Sequence, residues 1–452
     1  MTKKIVSLLL AVALVASFGF AGAATLTEKD ITVKGGVDIY LEGSLMNPKD
    51  VTGSTVDTFI YNGTTYLPIR AISEAFGLDV DFDLGTGSVY LNGVAGNVEK
   101  SAEYLEHFFG VKFSGTVTLA DWNKAIEAVG GTAVEGETLT VGDAIVSAVK
   151  TAKLEELALA YDAEKTPARL AAYGVPFEVS EELAQYFVCA LDADLIPANT
   201  NPTADLTAAL AEELLMGVVQ LTGQGRNYIG RVSDADIATK LNGAFNQITT
   251  LADEEGVLAE LGPEIAYRGA TTGYGLKYTG YNANFLPEYT ITYGHSDLKH
   301  AVQLIALLDS EGIDAYLQLE PKTSIYFWDG GYSVGNEYDL QIEFDNLEDK
   351  FAFDELAKTY CKRSSEHNKI SGNWVTPLYS STTPIDENYE IGYDNVIKNG
   401  NYEIHSFSTE SGIEKVAAVV KDVAPEVEVT VVPRYINVAF VVDYLPDGDA
   451  NN

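Results

Sequence analysis

The sequence of 452 residues is short of sulfur, with two cysteines and three methionines. Two Cys exclude a disulfide-rich scaffold and a four-Cys zinc site. Basic side chains are scarce too: 29 Lys and Arg stand against 66 Asp and Glu, a formal net charge of −37. That balance argues against nucleic acid and anionic membrane surfaces as partners, since both call for clustered Lys and Arg. After the N-terminal segment no run reaches about 18 apolar residues, so no membrane span is expected in the mature chain. What is present is 46% hydrophobic residues, enough for packed cores and too many for a disordered acidic tail. At about 150 residues per domain, the length predicts two to four domains.

The first 23 residues read as a signal peptide. Lys3 and Lys4 form a positive start, Ile5 to Phe20 is an apolar run, and Ala21-Gly22-Ala23 supplies small residues for cleavage between Ala23 and Ala24. A short membrane anchor is the alternative, disfavoured by the run's length. No Cys follows the site, which argues against a lipid anchor. Cleavage removes two lysines and no acid, deepening the net charge from −37 to −39. The expected location is extracellular or cell-wall associated.

Residues 24–97 read as a small α+β domain. Strands are expected over 31–41, 58–61, 65–67, 78–82 and 88–92, with Asn62-Gly63 as a tight hairpin turn. Pro68 suits a first helical turn, Ile69, Ile72 and Phe76 share a helical face, and Gly77 is the stop. Tyr66-Leu67-Pro68-Ile69-Arg70, Ala71-Ile72-Ser73-Glu74-Ala75-Phe76-Gly77, Val80-Asp81-Phe82-Asp83 and Val89-Tyr90-Leu91, together with Asn62-Gly63, resemble the copper amine oxidase N-terminal-like, or stalk, domain. Phe82 stands where that family often has Trp. The resemblance implies an accessory module of exported proteins in Gram-positive bacteria, usually without copper. Arg70 and Glu74, four apart, read as a structural pair.

The oxidase activity itself is argued against. The quinone-forming Tyr of those enzymes lies in a Thr-x-x-Asn-Tyr-Asp/Glu context. Asn388-Tyr389-Glu390 and Asn401-Tyr402-Glu403 have Ile385 and Lys398 in place of the Thr. The five His are His107, His295, His300, His367 and His405, and no His-x-His pair occurs among them.

Residues 98–261 read as a mainly helical region. Thr118 with Asp121 and Thr140 with Asp143 are capping boxes, each opening an amphipathic run. Helices are also expected over 181–190 and 207–221. Val117-Thr118-Leu119-Ala120-Asp121, Leu139-Thr140-Val141-Gly142-Asp143, Leu206-Thr207-Ala208-Ala209 and the stretch from Tyr186 to Pro197 resemble degenerate S-layer homology repeats. That resemblance implies binding to an anionic wall polymer, but Leu119, Val141 and Ala208 replace the Arg of the repeat start.

Residues 262–288 are rich in Gly and Tyr and read as a linker, with a strand pair and a sugar-stacking surface as alternatives. Residues 289–452 read as an α+β domain with an internal repeat. Strand 289–293, helix 298–308 and strands 315–319 and 324–328 recur as 402–407, 413–423, 427–432 and 435–444. Pro321-Lys322 matches Pro433-Arg434 about 112 residues on. Each copy reads as β-α-β-β, with sheets half open to solvent. Residues 332–399 read as an insertion carrying a helix at 351–360.

No catalytic, cofactor or metal residue emerges. Cys361, close to Lys362, Arg363 and His367, reads as a helix-end thiol rather than a Cys-His nucleophile. Cys189 reads as core, and the two thiols as free. His295 and His300 have the wrong spacing for one helix face. Asp345, Glu348 and Asp349, and Asp447 with Asp449, are acids for solvent or for loose Ca²⁺. Leu445-Pro446-Asp447-Gly448 lacks the Thr of a sortase signal. The fold class expected is multidomain α+β. The function expected is that of a secreted, non-enzymatic envelope protein whose partners are cell-wall polymer or other envelope proteins. The alternative is an exported hydrolase of wall polymer or carbohydrate, acting through the C-terminal domain.

Overall fold

A computed structural model describes residues 31–41, 44–45, 48, 55–69, 72, 78–83, 88–93, 96–162, 164–247, 251, 253, 256–328, 331–360, 378–385 and 390–437. The chain forms two compact units, Met1–Ala102 and Glu103–Asn452. The proposed cleavage site at Ala23 and Ala24, the Arg70–Glu74 pair, Phe76, Gly77, Cys361, His367 and residues 445–449 lie outside the described residues.

In the first unit, β1 (Tyr40–Leu41) pairs with β2 (Ser44–Leu45), β3 (Phe59–Tyr61) with β4 (Thr64–Tyr66), and β5 (Leu78–Asp83) with β6 (Ser88–Gly93), all antiparallel. The β3–β4 hairpin turns on Asn62 (φ 48°) and Gly63 (φ 81°), the two positive dihedrals that such a turn requires. Phe59 and Tyr66 stack across it, ring centroids 5.4 Å apart. The expected strand over 31–41 is not continuous. Lys34 makes an isolated bridge to Ile60, and Gly36 at φ 76° breaks the extended run before β1. Ile72 N donates to Pro68 O at 3.2 Å, a helical turn opened by that proline.

The second unit starts within helix α1 (Gly96–Phe109). Helices α2 (Leu119–Ala128), α3 (Val141–Thr151), α4 (Glu155–Leu159), α5 (Lys165–Tyr173), α6 (Glu181–Asp192) and α7 (Ala208–Leu221) follow. Both capping boxes form: Thr118 and Thr140 Oγ1 each accept from the Asp N–H three residues on at 3.2 Å, and each Asp accepts from the Thr N–H in return. Thr207 caps α7 through Leu210 N–H, but Leu at that position cannot reciprocate. The segments leading into these helices are tied together, Val117 N to Leu206 O at 2.8 Å and Val141 N to Ala204 O at 3.0 Å. Trp122, Ile126, Ile145, Val149, Phe187 and Leu214, all fully buried, belong to the apolar core beneath. Cys189 is a free, buried thiol within it.

The rest of the unit adds β7 (Gly230–Arg231), α8 (Ile237–Phe245) and α9 (Val257–Tyr267), then an antiparallel barrel. Its strands are β8 (Gly273–Tyr278), β9 (Thr290–His295), β10 (Ala315–Trp328), β11 (Gly331–Phe344), β12 (Leu378–Ser381), β13 (Glu390–Asn399), β14 (Tyr402–Ser408) and β15 (Glu428–Ile436). Around the ring the order is β8-β10-β11-β9-β12-β15-β13-β14 and back to β8, and β7 adds to β10 beside β8. Helix α10 (Leu298–Ser310) lies between β9 and β10, α11 (Leu347–Tyr360) between β11 and β12, and α12 (Glu410–Val423) between β14 and β15.

The ring is two equivalent four-stranded sheets. In one the order is β12-β9-β11-β10 and in the other β8-β14-β13-β15. Strand β9, helix α10 and strand β10 correspond to β14, α12 and β15. Strand β11 corresponds to β13, and α11 with β12 corresponds to α9 with β8. The two seams, β12–β15 and β10–β8, are therefore related by the same exchange. The second copy is permuted, with its helix-strand pair α9–β8 preceding the whole first copy in sequence.

Several expectations change. The Gly/Tyr-rich passage is not a linker but holds the strand weighed as its alternative: residues 262–267 end α9, and Gly273–Tyr278 form β8 with Tyr274 buried. Residues 332–399 are not an insertion, since β11, β12 and β13 are staves of the barrel. Residues 315–319 and 324–328 are one strand, and the second pair likewise merges into the single strand Glu428–Ile436. Pro321 and Pro433 sit where one edge of the strand lacks a described neighbour, so a missing N–H need not interrupt the ladder.

Candidate functional site

The alternation along the barrel strands sorts chemistry between two faces. Leu317 and Leu319 on β10, Leu340 and Ile342 on β11 and Ile291 on β9 are buried in a core shared with α10 and α11. Leu276 on β8, Ile397 on β13 and Ile404 on β14 do the same with α9 and α12. The intervening residues therefore point into the barrel, and on β10 and β11 they include Gln318, Glu320, Lys322, Ser324, Glu337, Asp339, Gln341 and Glu343. The expected half-open sheets are closed ones, and their polar faces are buried.

Within the lumen Lys277 lies 3.0 Å from Glu320 and 2.5 Å from Asp339, and Lys322 donates to Asp339 at 2.6 Å. Glu320 also accepts from Gln341 at 2.8 Å and from Ala283 N–H at 2.9 Å. Glu337 accepts from Ser324 at 2.7 Å and Tyr326 at 3.1 Å. His405 bridges two carboxylates, Asp394 at 2.9 Å through Nδ1 and Glu403 at 3.1 Å through Nε2. Arg434 donates to Thr292 at 3.5 Å and lies 3.7 Å from Asp394.

Burial would push these groups toward their neutral forms, but opposite charges overrule it. Lys277 is raised by Asp339 and Glu320, and Asp339 is held well below the usual carboxylate range by Lys277 and Lys322. Burial alone would discharge His405, yet Asp394 and Glu403 lift it to about 9. Glu403 falls to about 2 beside that ring, and Asp394 is lowered as well. The lumen thus holds ions of both signs in mutual contact.

Two cavities meet at this layer. One, of about 80 Å³, is lined by Gly275, Gly294, Lys322, Asp339, Leu378, Ser380, Asp394 and Phe407 among others; the second, of about 260 Å³, is lined by Asn282, Phe285, Glu320, Gln341 and Glu403. Lys277, Thr292, His405 and Arg434 border both. Small residues make the packing possible: a Cβ on Gly294 would sit 2.8 Å from Asp339 Oδ1 and 3.1 Å from Lys322 Nζ. At one end Arg226 closes the barrel, bidentate on fully buried Glu343 at 2.8–3.0 Å and over the Tyr104 ring at 4.6 Å.

The other residues weighed from sequence fall elsewhere. His295 at the end of β9 and His300 on α10 do meet, with ring centroids 4.0 Å apart, because strand and helix fold back on each other rather than sharing a helix face. Burial lowers His300 to about 4. Asp345 is engaged by Arg231 at 2.5 Å and Asp349 by Asn346 at 2.8 Å, so these two of the acids weighed for loose Ca²⁺ have separate partners. Among the described residues no group of three or more His, Cys, Asp or Glu side chains is arranged to hold a metal ion. No helix among them is long and apolar enough to cross a membrane.

Sequence reasoning had flagged Lys322 and Arg434 as repeat positions without a role, and it missed Lys277, Glu320, Asp339, Asp394 and the lumen roles of Glu403 and His405. The available signal was the spacing Glu320-x-Lys322-x-Ser324 opposite Glu337-x-Asp339-x-Gln341, charged or polar side chains at every second position of both strands.

Fold and lumen define the class: a multidomain α+β protein whose second unit is a helix-clad, charge-filled antiparallel barrel. Residues 23–97 match the family of the copper amine oxidase N-terminal domain, so the chain carries that module at its start. No curated protein and no solved structure matches the chain.

Proposed function

We propose that the chain is an exported, non-enzymatic protein of the cell envelope with a binding role, at the wall or in an extracellular assembly, and that the barrel lumen is its ligand-holding part. Export rests on the charged, apolar and small-residue sequence of the first 23 residues and on the stalk-type module. The observation that carries a binding role is the state of the lumen carboxylates. Hydrolysis by paired carboxyl groups needs one held protonated as an acid and another free as a base or nucleophile. Asp339, Asp394 and Glu403 are instead held ionised against Lys277, Lys322 and His405. Such a lumen orients a polar guest and offers it no proton donor among these three.

The test uses the full chain. Cell fractionation should find it in the medium or wall fraction with Ala24 as its first residue, and it should co-sediment with purified walls without releasing soluble fragments. Retention in the cytoplasm would sink the envelope role. Release of wall fragments that Asp339→Asn abolishes would establish the hydrolase instead.

A further inference from the structure

The two halves of the lumen carry the same ion pair and complete it differently. Lys322 faces Glu337 across the β10–β11 ladder, and Asp339 lies two residues on; Arg434 faces Gly392 across β15–β13, and Asp394 lies two residues on. Asp339 receives an ammonium on each oxygen, Lys322 on Oδ1 and Lys277 on Oδ2. Asp394 receives His405 on Oδ2 alone, Arg434 stays 3.7 Å away, and Oδ1 has no partner although the residue is 1% exposed. Arg434 Nε and Ser380 Oγ are also buried without partners, and all three residues line the 80 Å³ cavity. Leaving a buried carboxylate oxygen and a guanidinium N–H unpaired is destabilising, so this half is built to be completed by something else.

What completes it follows from the half that is closed. There the second oxygen of the aspartate takes a primary ammonium, and the cation beside it has a further carboxylate, Glu337, 3.8 Å away, where Arg434 faces Gly392. The guest of the open half therefore brings an ammonium for Asp394 and an anionic acceptor for Arg434. The neighbouring wall is apolar, Leu378 and Phe407 clustering with Ile436. A cavity of this size admits a ligand of few heavy atoms. We propose that the open half binds a compact zwitterion, an α-amino acid with a small side chain. Its ammonium sits on Asp394 Oδ1, its carboxylate on Arg434 Nε, and its side chain lies against Leu378 and Phe407. This assignment rests on the reading of the lumen as the ligand-holding part.

Titration calorimetry on the full mature chain tests it, with glycine and alanine as probes and betaine, acetate, ethylamine and glucose as controls. Alanine should bind, and betaine, which has no N–H to give Asp394, should bind at least about tenfold more weakly. Arg434→Gln should weaken alanine about tenfold or more. Ser380→Val, which occupies the cavity and removes no ion, should do the same while leaving the circular dichroism spectrum unchanged. Alanine binding that survives both substitutions places the site elsewhere and overturns the assignment. Equal binding of betaine overturns the Asp394 contact. Binding of glucose or acetate without alanine overturns the zwitterion and leaves the lumen reading standing, whereas silence from every probe overturns both.

Discussion

The two halves of the barrel share a strand order, a helix placement and a basic residue after proline, yet one is electrostatically saturated and the other is not. Around Asp339, two lysines and a glycine that leaves them room make a closed cluster. Around Asp394, Phe407 stands where the first half has Gly294, and His405 where it has Thr292, by the ladder registers of β14 on β13 and β9 on β11. The Phe407 ring and Gly294 both line the cavity between the two clusters. The two halves share one frame, and the residues at these two positions differ between the closed ion cluster and the open half.

The comparison breaks most forcibly at Lys277. Lys277→Met leaves Glu320 and Asp339 buried with too little positive charge and should cost about 3–5 kcal/mol in chemical denaturation. The equivalent cations should then differ: Lys322→Met costs about 3 kcal/mol, and Arg434→Met less than half of that, because Asp394 keeps His405. Equal losses would mean that the halves are not differently completed.

The pH dependence is a smaller effect with a definite sign. Glu403 is depressed to about 2, below its unfolded value of about 4.3, so its contribution is present above about pH 4.3 and falls away, by on the order of 3 kcal/mol, as pH drops through 2. His405 is raised to about 9, so its contribution is full below about pH 6.5 and fades as pH rises toward 9. His300, lowered to about 4, works in the opposite sense and removes stability as pH falls from about 6.5 toward 4. Unfolding midpoints should therefore peak near pH 6.5, and His405→Gln should flatten the limb from 6.5 to 8. An unchanged limb in that variant would put the charge elsewhere. The smallest effect expected is that of Gly294→Ala, about 1–2 kcal/mol in thermal unfolding from crowding Lys322 and Asp339; Gly243→Ala, open to solvent on α8, should lose nothing.

Legibility from sequence varied with the distance over which each feature is decided. The Asn62-Gly63 turn and the boxes at Thr118 and Thr140 involve partners within four residues, and all form. The repeat of strand, helix and Pro-basic pair was visible because its two copies are each contiguous. The permuted helix-strand pair α9–β8 was not, because it lies ahead of the first copy and was read as a linker. The lumen escaped for a different reason: a strand with alternating polarity looks the same whether its polar face meets water or seven other strands.

By itself the sequence determined the local events: the acidic balance, the stalk-type module, the capped helices, and strands with one apolar and one charged face. Those depend on side-chain chemistry and short-range geometry. Only the tertiary structure decided that the charged faces turn inward, that Lys277 crosses from one half to complete the other, and that Asp394 is left with an open oxygen. Each depends on ring closure between strands far apart in the chain. Closure takes these side chains out of bulk solvent, which makes paired ions mutually dependent and an unpaired one a place for a ligand.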